Sequence, residues 1–176
     1  AAAAALAASA KDVGEHRFAV QSVLTALGPH ARGADGQGLR ASETPFTLEL
    51  PNLWHLATNI EGALSDGSSA LDLAAALHPT AAVAGTPTAD ALAAIRELEP
   101  FDRGRYGGPV GWVDAAGDGT WALSLRSAEI APDGGIRAFA GAGIVAESDP
   151  ASELAETSLK FRPIAEAFGS RLPVVE

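Results

Sequence analysis

The segment "GGPVGWVDAAGDGTWALSLRSAEI", residues 107–130, decides the fold class. Two runs of alternating apolar and polar residues are separated in it by "AAGDG" (residues 115–119), which is rich in turn-forming residues. Alternation is typical of strands, and a short turn signal between two such runs predicts a β-hairpin. The following segment, "GGIRAFAGAGIVAES" (residues 134–148), predicts another strand. The sequence therefore predicts an antiparallel meander in this part of the chain.

Four further segments have the capping residues and apolar spacing of amphipathic helices. They begin near Ser9, Ser69, Thr88 and Asp149, and they end near Gly28, His78, Glu99 and Gly169. The segments "RGADGQG" (residues 32–38) and "PTAAVAGTP" (residues 79–87) predict loops, and two short strands are expected on either side of Pro51. Helices segregated from an antiparallel sheet, and packed on it, define the α+β class.

Composition excludes several classes of function. The chain has 176 residues, 47% of them hydrophobic, and a formal net charge of −10, which disfavours nucleic acid and anionic membranes as partners. It contains no cysteine, so disulfides and thiolate metal sites are excluded, and a cytoplasmic enzyme is expected. Residues 1–8 form an alanine-rich start that is uninformative and makes a poor signal peptide. Residues 9–176 are treated as one domain.

The last predicted helix carries the clearest candidate site. Glu153, Glu156 and Lys160 share one face of it, beside an apolar stripe formed by Leu154, Phe161, Ile164 and Phe168. Spacing alone favours a solvent-exposed face with a Glu156–Lys160 ion pair. Two carboxylates beside a lysine also suit a Mg²⁺ site that holds an anionic ligand.

Other candidates are ambiguous when taken one at a time. Arg126 closes an alternating strand, where it is either an exposed cross-strand residue or a fork for a carboxylate. Glu15 reads as a surface residue, and His55 as a structural histidine. Gly141 and Gly143 interrupt what reads as a buried strand, which indicates either a bulge or a close approach of a ligand to the backbone.

Seven motifs together resemble one enzyme family. They are "SAKDVGEH", "LWHLAT", "LHPTAAVAGTP", "ELEPFDRGRYGGPVGW", "LSLRSAEI", "FAGAGIV" and "ELAETSLKF", in this order between Ser9 and Gly169. This series resembles the chorismate-utilising enzymes, and it is most similar to the isochorismate synthases of siderophore or menaquinone biosynthesis. The resemblance implies half of a two-sheet fold and an isomerase. Its reaction would be the Mg²⁺-dependent conversion of chorismate to isochorismate, with addition of water at C2 and loss of the C4 hydroxyl.

The resemblance also implies roles for individual residues. It implies Mg²⁺ binding by Glu15 and Glu156 with support from Glu153, and substrate binding by Tyr106, Arg126, Gly141, Gly143, Lys160, His55 and Ala82. Tyr106 and Arg126 match positions that hold a carboxylate of chorismate, and the backbone amides of the two glycines would face the substrate. Ala82 stands where relatives that use ammonia typically carry threonine, so it favours the branch that uses water.

The resemblance covers only the C-terminal half of these enzymes. The lysine that activates water and the glutamate that protonates the leaving hydroxyl belong to the family's N-terminal half, and no residue here corresponds to them. We therefore expect a fragment with an uncovered apolar face, whose missing half is a separate or unassigned segment. An inactive fragment that binds chorismate and Mg²⁺ is one alternative, and a salicylate, anthranilate or aminodeoxychorismate synthase is another. The pathway and the oligomeric state stay open.

Overall fold

The computed structural model describes residues 2–32, 38–50 and 53–169. Within them the helices are α1 (Ala2–Ala8), α2 (Ala10–Leu27), α3 (Ala70–Leu77), α4 (Ala81–Ala84), α5 (Thr88–Leu98) and α6 (Pro150–Ala167). The strands are β1 (Ala31–Arg32), β2 (Arg40–Ala41), β3 (Phe46–Leu50), β4 (Leu53–Ala57), β5 (Ile60–Glu61), β6 (Ala63–Leu64), β7 (Pro109–Val113), β8 (Gly119–Leu123), β9 (Ser127–Ile130) and β10 (Ile136–Phe139). The loop predicted over residues 32–38 and the break predicted at Pro51 lie largely outside the described residues.

Side-chain capping explains where α2, α3 and α6 begin. The Ser9 hydroxyl accepts a hydrogen bond from the backbone N–H of Asp12 at 3.3 Å, and Ser69 forms a reciprocal capping box with Asp72. The Asp149 carboxylate accepts from the N–H of Ser152 at 3.0 Å, and Pro150 occupies the first helical position of α6. These side chains satisfy backbone donors that a helix leaves without partners in its first turn. The four predicted helices are confirmed, but α5 lacks the expected side-chain cap: its N-cap residue is Pro87, which makes no capping hydrogen bond.

Proline 79 ends α3 as predicted, but the segment after it is not wholly a loop. His78 has extended backbone angles (φ −99°, ψ 134°), since a residue before proline is pushed out of the α region. The predicted loop over residues 79–87 contains the short helix α4. Its backbone N–H groups bond to the carbonyls of Thr80 and Ala81 in the manner of a single helical turn.

The strands form five two-stranded antiparallel ladders among the described residues: β1–β6, β2–β5, β3–β4, β7–β8 and β9–β10. The α+β class with antiparallel pairing is confirmed, and so is the predicted hairpin, which pairs Pro109 with Leu123 and Val113 with Gly119. Two predicted strands are shorter than expected. The run over residues 119–130 breaks at residues 124–126, and the strand that enters "FAGAGIV" ends at Phe139.

The chain exposes far more surface than a compact protein of its mass. Its accessible surface is 12109 Å², whereas about 8000 Å² is expected at 17.8 kDa. Val110 and Trp112 share one face of the β7–β8 ladder and are 60% and 58% exposed, and Ile130 of β9 is 65% exposed. An apolar face of this kind is typical of a surface that another part of a protein covers.

The apolar stripe predicted on α6 is only partly buried. Ile164 is buried, but Leu154 and Phe168 are 55% and 44% exposed, and Glu153 is buried instead. The helix packs against β10, and this contact covers only part of its circumference. No helix among the described residues combines the length and apolar character needed to cross a membrane.

Candidate functional site

The face of α6 that carries two predicted site residues is held by an ion pair. Lys160 Nζ lies 2.6 Å from Glu156 Oε1, and the side chains of Lys160 and Glu156 are 25% and 48% exposed. Residues four apart on a helix are neighbours on its surface, so the pairing follows from the sequence spacing. One turn earlier Glu153 is buried, at 7% exposure, which is rare for a carboxylate. The helix therefore presents one buried and one accessible carboxylate.

Lys160 connects this helix to the glycine-rich loop. Its Nζ also donates a hydrogen bond to the carbonyl oxygen of Gly141 at 3.0 Å. Gly141 lies two residues beyond the end of β10 and is exposed, so it belongs to a loop rather than to a strand interior. A Cβ atom at Gly141 would lie 3.2 Å from the hydroxyl oxygen of Tyr106, whereas one at Gly143 would meet no atom within 4 Å. Three predicted substrate-binding residues, Lys160, Gly141 and Tyr106, thus lie together.

Tyr106 is fixed by aromatic contacts. Its ring stacks on that of Phe139, with centroids 5.4 Å apart and planes at 14°, and Phe139 also contacts Phe101 at 6.1 Å. Burial raises the pKa of Tyr106 above its ordinary value of 10.0. The phenol is therefore neutral near neutral pH, and its hydroxyl can donate a hydrogen bond toward a carboxylate at Gly141.

A second cluster joins two residues that are 71 positions apart in sequence. Arg126 Nη2 donates a hydrogen bond to Nε2 of His55 at 2.8 Å. Arg126 does not close a strand as predicted: it lies in the break between β8 and β9, with a positive φ of 49°. In the sequence, apolar and polar residues keep alternating through residues 124–126, so the break is visible only in the backbone of the structure. Non-glycine residues in this conformation are uncommon and concentrate at functional sites.

Burial and two neighbouring positive charges favour the neutral form of the His55 imidazole. Burial lowers its pKa from the ordinary value of 6.5, and the positive charges of Arg126 and Lys160 lower it further. Arg126 has only donors, so His55 must accept at Nε2 and carry its proton on Nδ1. The influence of Lys160 also ties the His55–Arg126 pair electrostatically to the α6 face.

A groove of about 480 Å³ opens beside Tyr106, Gly141 and Glu153. Residues that line it include Arg103, Tyr106, Gly141, Ile144, Glu153 and Leu154. Its wall combines apolar side chains with a phenol, a carboxylate and loop backbone. Such a combination suits a small, partly apolar ligand with polar groups at defined positions.

Seven predicted site residues are not part of the groove lining: Glu15, His55, Ala82, Arg126, Gly143, Glu156 and Lys160. Glu15 is exposed on α2, next to His16, whose Nε2 lies 2.8 Å from the hydroxyl of Thr58 just beyond β4. Ala82 is exposed on α4. Across residues 2–32, 38–50 and 53–169, no group of three or more histidine, aspartate or glutamate side chains is arranged to hold a metal ion. The structure therefore does not gather Glu15 with Glu153 and Glu156.

The two glutamates of α6 nevertheless have the donor chemistry that Mg²⁺ prefers. Mg²⁺ takes hard oxygen ligands and often binds through only one or two carboxylates, with water and substrate oxygens completing its octahedron. Glu156 is accessible and Glu153 lies one turn away along the helix. Their chemistry suits a magnesium ion, and the metal site, including the role of Glu15, stays a prediction.

Sequence reasoning missed Arg103 and Glu99. Arg103 Nε donates to Glu99 Oε2 at 2.8 Å and its Nη2 donates to Glu99 Oε1 at 2.5 Å, which is a bidentate pair. Both residues line the groove. The motif "ELEPFDRGRYGGPVGW" contains them both, together with Tyr106. A spacing of four residues is typical of ion pairs on a helix and could have indicated that Glu99 and Arg103 pair. Pro100 lies between them, however, and argues against a helix there, so the spacing did not predict the pair.

Known proteins show the same combination of motifs and fold. The family model described as "Chorismate binding enzyme" matches residues 1–169. The chain belongs to the chorismate binding enzyme family. Isochorismate synthase DhbC of Bacillus subtilis is 50% identical over 168 residues, which are 95% of this chain and 41% of that protein.

Solved structures of chorismate binding enzymes have the same fold. The crystal structure of DhbC from Bacillus anthracis matches with a TM-score of 0.90 and 44% identity, and it covers 96% of this chain and 44% of that one. MenF, the menaquinone-specific isochorismate synthase from Escherichia coli, matches with a TM-score of 0.79 and 32% identity, over 92% of this chain and 36% of that one. The chain spans about two-fifths of the length of the curated relatives it matches.

Proposed function

We propose that the protein that carries this chain is an isochorismate synthase. The observation that carries the proposal is the 50% identity to an isochorismate synthase over 95% of this chain. The expected reaction converts chorismate to isochorismate: water adds at C2, the double bonds shift, and the C4 hydroxyl leaves as water. One proton is removed from the attacking water and one is delivered to the leaving hydroxyl. The groups for these two transfers are expected outside this chain.

The chain's own residues would bind and orient the dicarboxylate substrate. Arg126, oriented by His55, offers a planar guanidinium that suits a carboxylate, and the neutral phenol of Tyr106 offers a second donor. Lys160 brings a further positive charge beside the backbone of Gly141. These cations would offset the overall negative charge of the chain at the position where an anion must enter.

Magnesium would be held by Glu156, with Glu15 as a second ligand and Glu153 supporting its bound water. When bound, it would stabilise negative charge on a substrate carboxylate. The ion pair between Glu156 and Lys160 places the lysine beside the proposed metal ligand. Lys160 would remain on the carbonyl of Gly141, 3.0 Å away, and would be available to the substrate.

The test is product analysis with the complete protein, chorismate and Mg²⁺. We expect isochorismate to accumulate, and we expect EDTA to stop its formation until Mg²⁺ is restored. Formation of salicylate with pyruvate, or of anthranilate or aminodeoxychorismate when ammonia is supplied, would assign the protein to another branch of the family.

A second function applies to the chain of 176 residues by itself. Because it spans about two-fifths of its relatives and its β7–β8 face is exposed, we infer that alone it binds Mg²⁺ and chorismate without turnover. Titration calorimetry with the isolated chain checks the binding, and product analysis checks the turnover. Full activity from a single 17.8 kDa species would contradict this inference.

A further inference from the structure

Arg103 joins three parts of the structure around Tyr106. Its guanidinium forms the bidentate pair with Glu99 at the end of α5, and its Nη1 donates to the carbonyl oxygen of Val83 in α4 at 3.0 Å. The same guanidinium lies 5.8 Å from the centroid of the Tyr106 ring, within cation–π range. One side chain therefore contacts two helices and the phenol ring.

The turn that carries Tyr106 is closed by the same residue. The backbone N–H of Tyr106 donates to the carbonyl oxygen of Arg103 at 2.8 Å. The next residue, Gly107, has a φ of 76°, and a Cβ atom there would lie only 2.6 Å from Val83 Cγ1. The turn therefore packs directly on α4 at Val83, whose carbonyl oxygen accepts the hydrogen bond from Arg103. Loss of the Arg103 side chain would remove the bond to Val83, whereas the backbone bond within the turn would remain.

The charge of Arg103 is already matched by a partner. The hydrogen bonds to Glu99 raise the pKa of Arg103 above its ordinary value. Its Nε and Nη2 donate to the Glu99 carboxylate, and Nη1 donates to a backbone carbonyl. A guanidinium held this way is poorly suited to bind a substrate anion, although it lines the groove. Its contacts instead restrict the Tyr106 ring, which also stacks on the buried Phe139.

We propose that Arg103 is a positioning residue, which aims the Tyr106 hydroxyl at the Gly141 backbone and thereby controls substrate affinity without contacting the substrate. The proposal rests on the proposed function, in which Tyr106 binds a carboxylate of chorismate. The distance from a Gly141 Cβ position to the Tyr106 hydroxyl, 3.2 Å, shows how closely that hydroxyl approaches the loop. A small rotation of the ring would change this approach.

The first test is a double-mutant cycle in the complete protein. Arg103→Gln should raise the KM for chorismate about tenfold or more with kcat little changed, since one hydrogen bond to a charged group is lost from binding. In a Tyr106→Phe background, Arg103→Gln should raise KM no further, because the hydroxyl it positions is gone. Additive effects on KM, or a lower melting temperature with unchanged KM, would overturn the proposal.

Arg105→Gln is the matched control for this cycle. Arg105 lies in the same turn, carries the same charge and is exposed, so its loss should leave KM unchanged. An equal rise in KM for both variants would assign the effect to net charge and overturn the proposal. If Arg103→Gln does not fold, Arg103→Lys replaces it: a lysine keeps the charge but cannot form the fork, so KM should still rise.

A second readout does not depend on chorismate. In protein labelled with 3-fluorotyrosine, the ¹⁹F resonance of Tyr106 is identified by its absence from the Tyr106→Phe spectrum. Arg103→Gln should shift or broaden this resonance, and Arg105→Gln should not. An unchanged resonance in Arg103→Gln overturns the positioning role, even if the protein proves active. A shifted resonance in a protein that does not use chorismate would instead refute the proposed function and retain the positioning role.

Discussion

Arg126 and His55 meet through a single hydrogen bond of 2.8 Å, in which the guanidinium Nη2 donates to the imidazole Nε2. The bond requires a neutral histidine, because a protonated imidazole has no acceptor and would face a second cation. Lys160 adds a further positive charge to the same surroundings. The orientation of Arg126 is therefore linked to the protonation state of His55.

This linkage predicts a pH dependence of stability and binding. The folded pKa of His55 is lowered below 6.5, so the unfolded state binds more protons in the interval between the two values. Stability is complete above 6.5 and is lost as pH falls through that value toward the folded pKa. We expect the melting temperature to fall, and the KM for chorismate to rise, as the pH is lowered from about 7.5 through 6.5.

The His55→Gln variant tests the origin of this dependence. Glutamine can accept from Arg126 but does not titrate, so its profile should be flatter on the acid side. His16, whose pKa is lowered by burial, contributes in the same direction and leaves a residual slope. His78→Gln changes an exposed histidine and serves as the control. If His55→Gln and the wild type had the same acid profile, the assignment to His55 would be wrong.

Local signals predicted much of the fold, because they act within a few residues. Asp149 and Pro150 specified the start of α6, and Pro79 specified the end of α3. The break at Arg126 could not be read in this way, since a left-handed residue in an otherwise alternating run leaves no pattern in the sequence. The burial of Glu153 is also a tertiary property, because it depends on what covers α6 rather than on helical spacing.

The positive φ of Arg126 predicts a difference between two small substitutions. Alanine at φ 49° keeps the steric cost of the left-handed conformation, whereas glycine adopts it freely. Arg126→Gly should therefore be more stable than Arg126→Ala by about 1 kcal/mol, measured by urea unfolding. Both variants lack the guanidinium, so both should lose most of their affinity for chorismate. Equal stability of the two variants would show that the residue relaxes to another backbone conformation.

Glu156→Ala should remove Mg²⁺ binding while leaving the stability of α6 almost unchanged. The variant loses an exposed ion pair of 2.6 Å, which is worth less than about 1 kcal/mol of stability. We nevertheless expect Mg²⁺-dependent turnover to be abolished and Mg²⁺ affinity, measured by calorimetry, to fall sharply. Glu166→Ala is the control, because it removes a similar i,i+4 pair of 2.9 Å with Arg162 on the same helix. Wild-type turnover in Glu156→Ala would refute the metal assignment.

Alanine substitutions at the two glycines of the loop should differ in their effects: at Gly141 both stability and affinity should change, and at Gly143 only affinity should change. A Cβ at Gly141 would press on the Tyr106 hydroxyl at 3.2 Å, so Gly141→Ala should displace the ring by a few tenths of an ångström and lower both stability and affinity. A Cβ at Gly143 meets no atom within 4 Å, so Gly143→Ala should leave the melting temperature unchanged. If this open space holds the substrate, Gly143→Ala should still raise the KM for chorismate severalfold. A normal KM would mean that the substrate does not face Gly143, and the glycine would then have no role in binding.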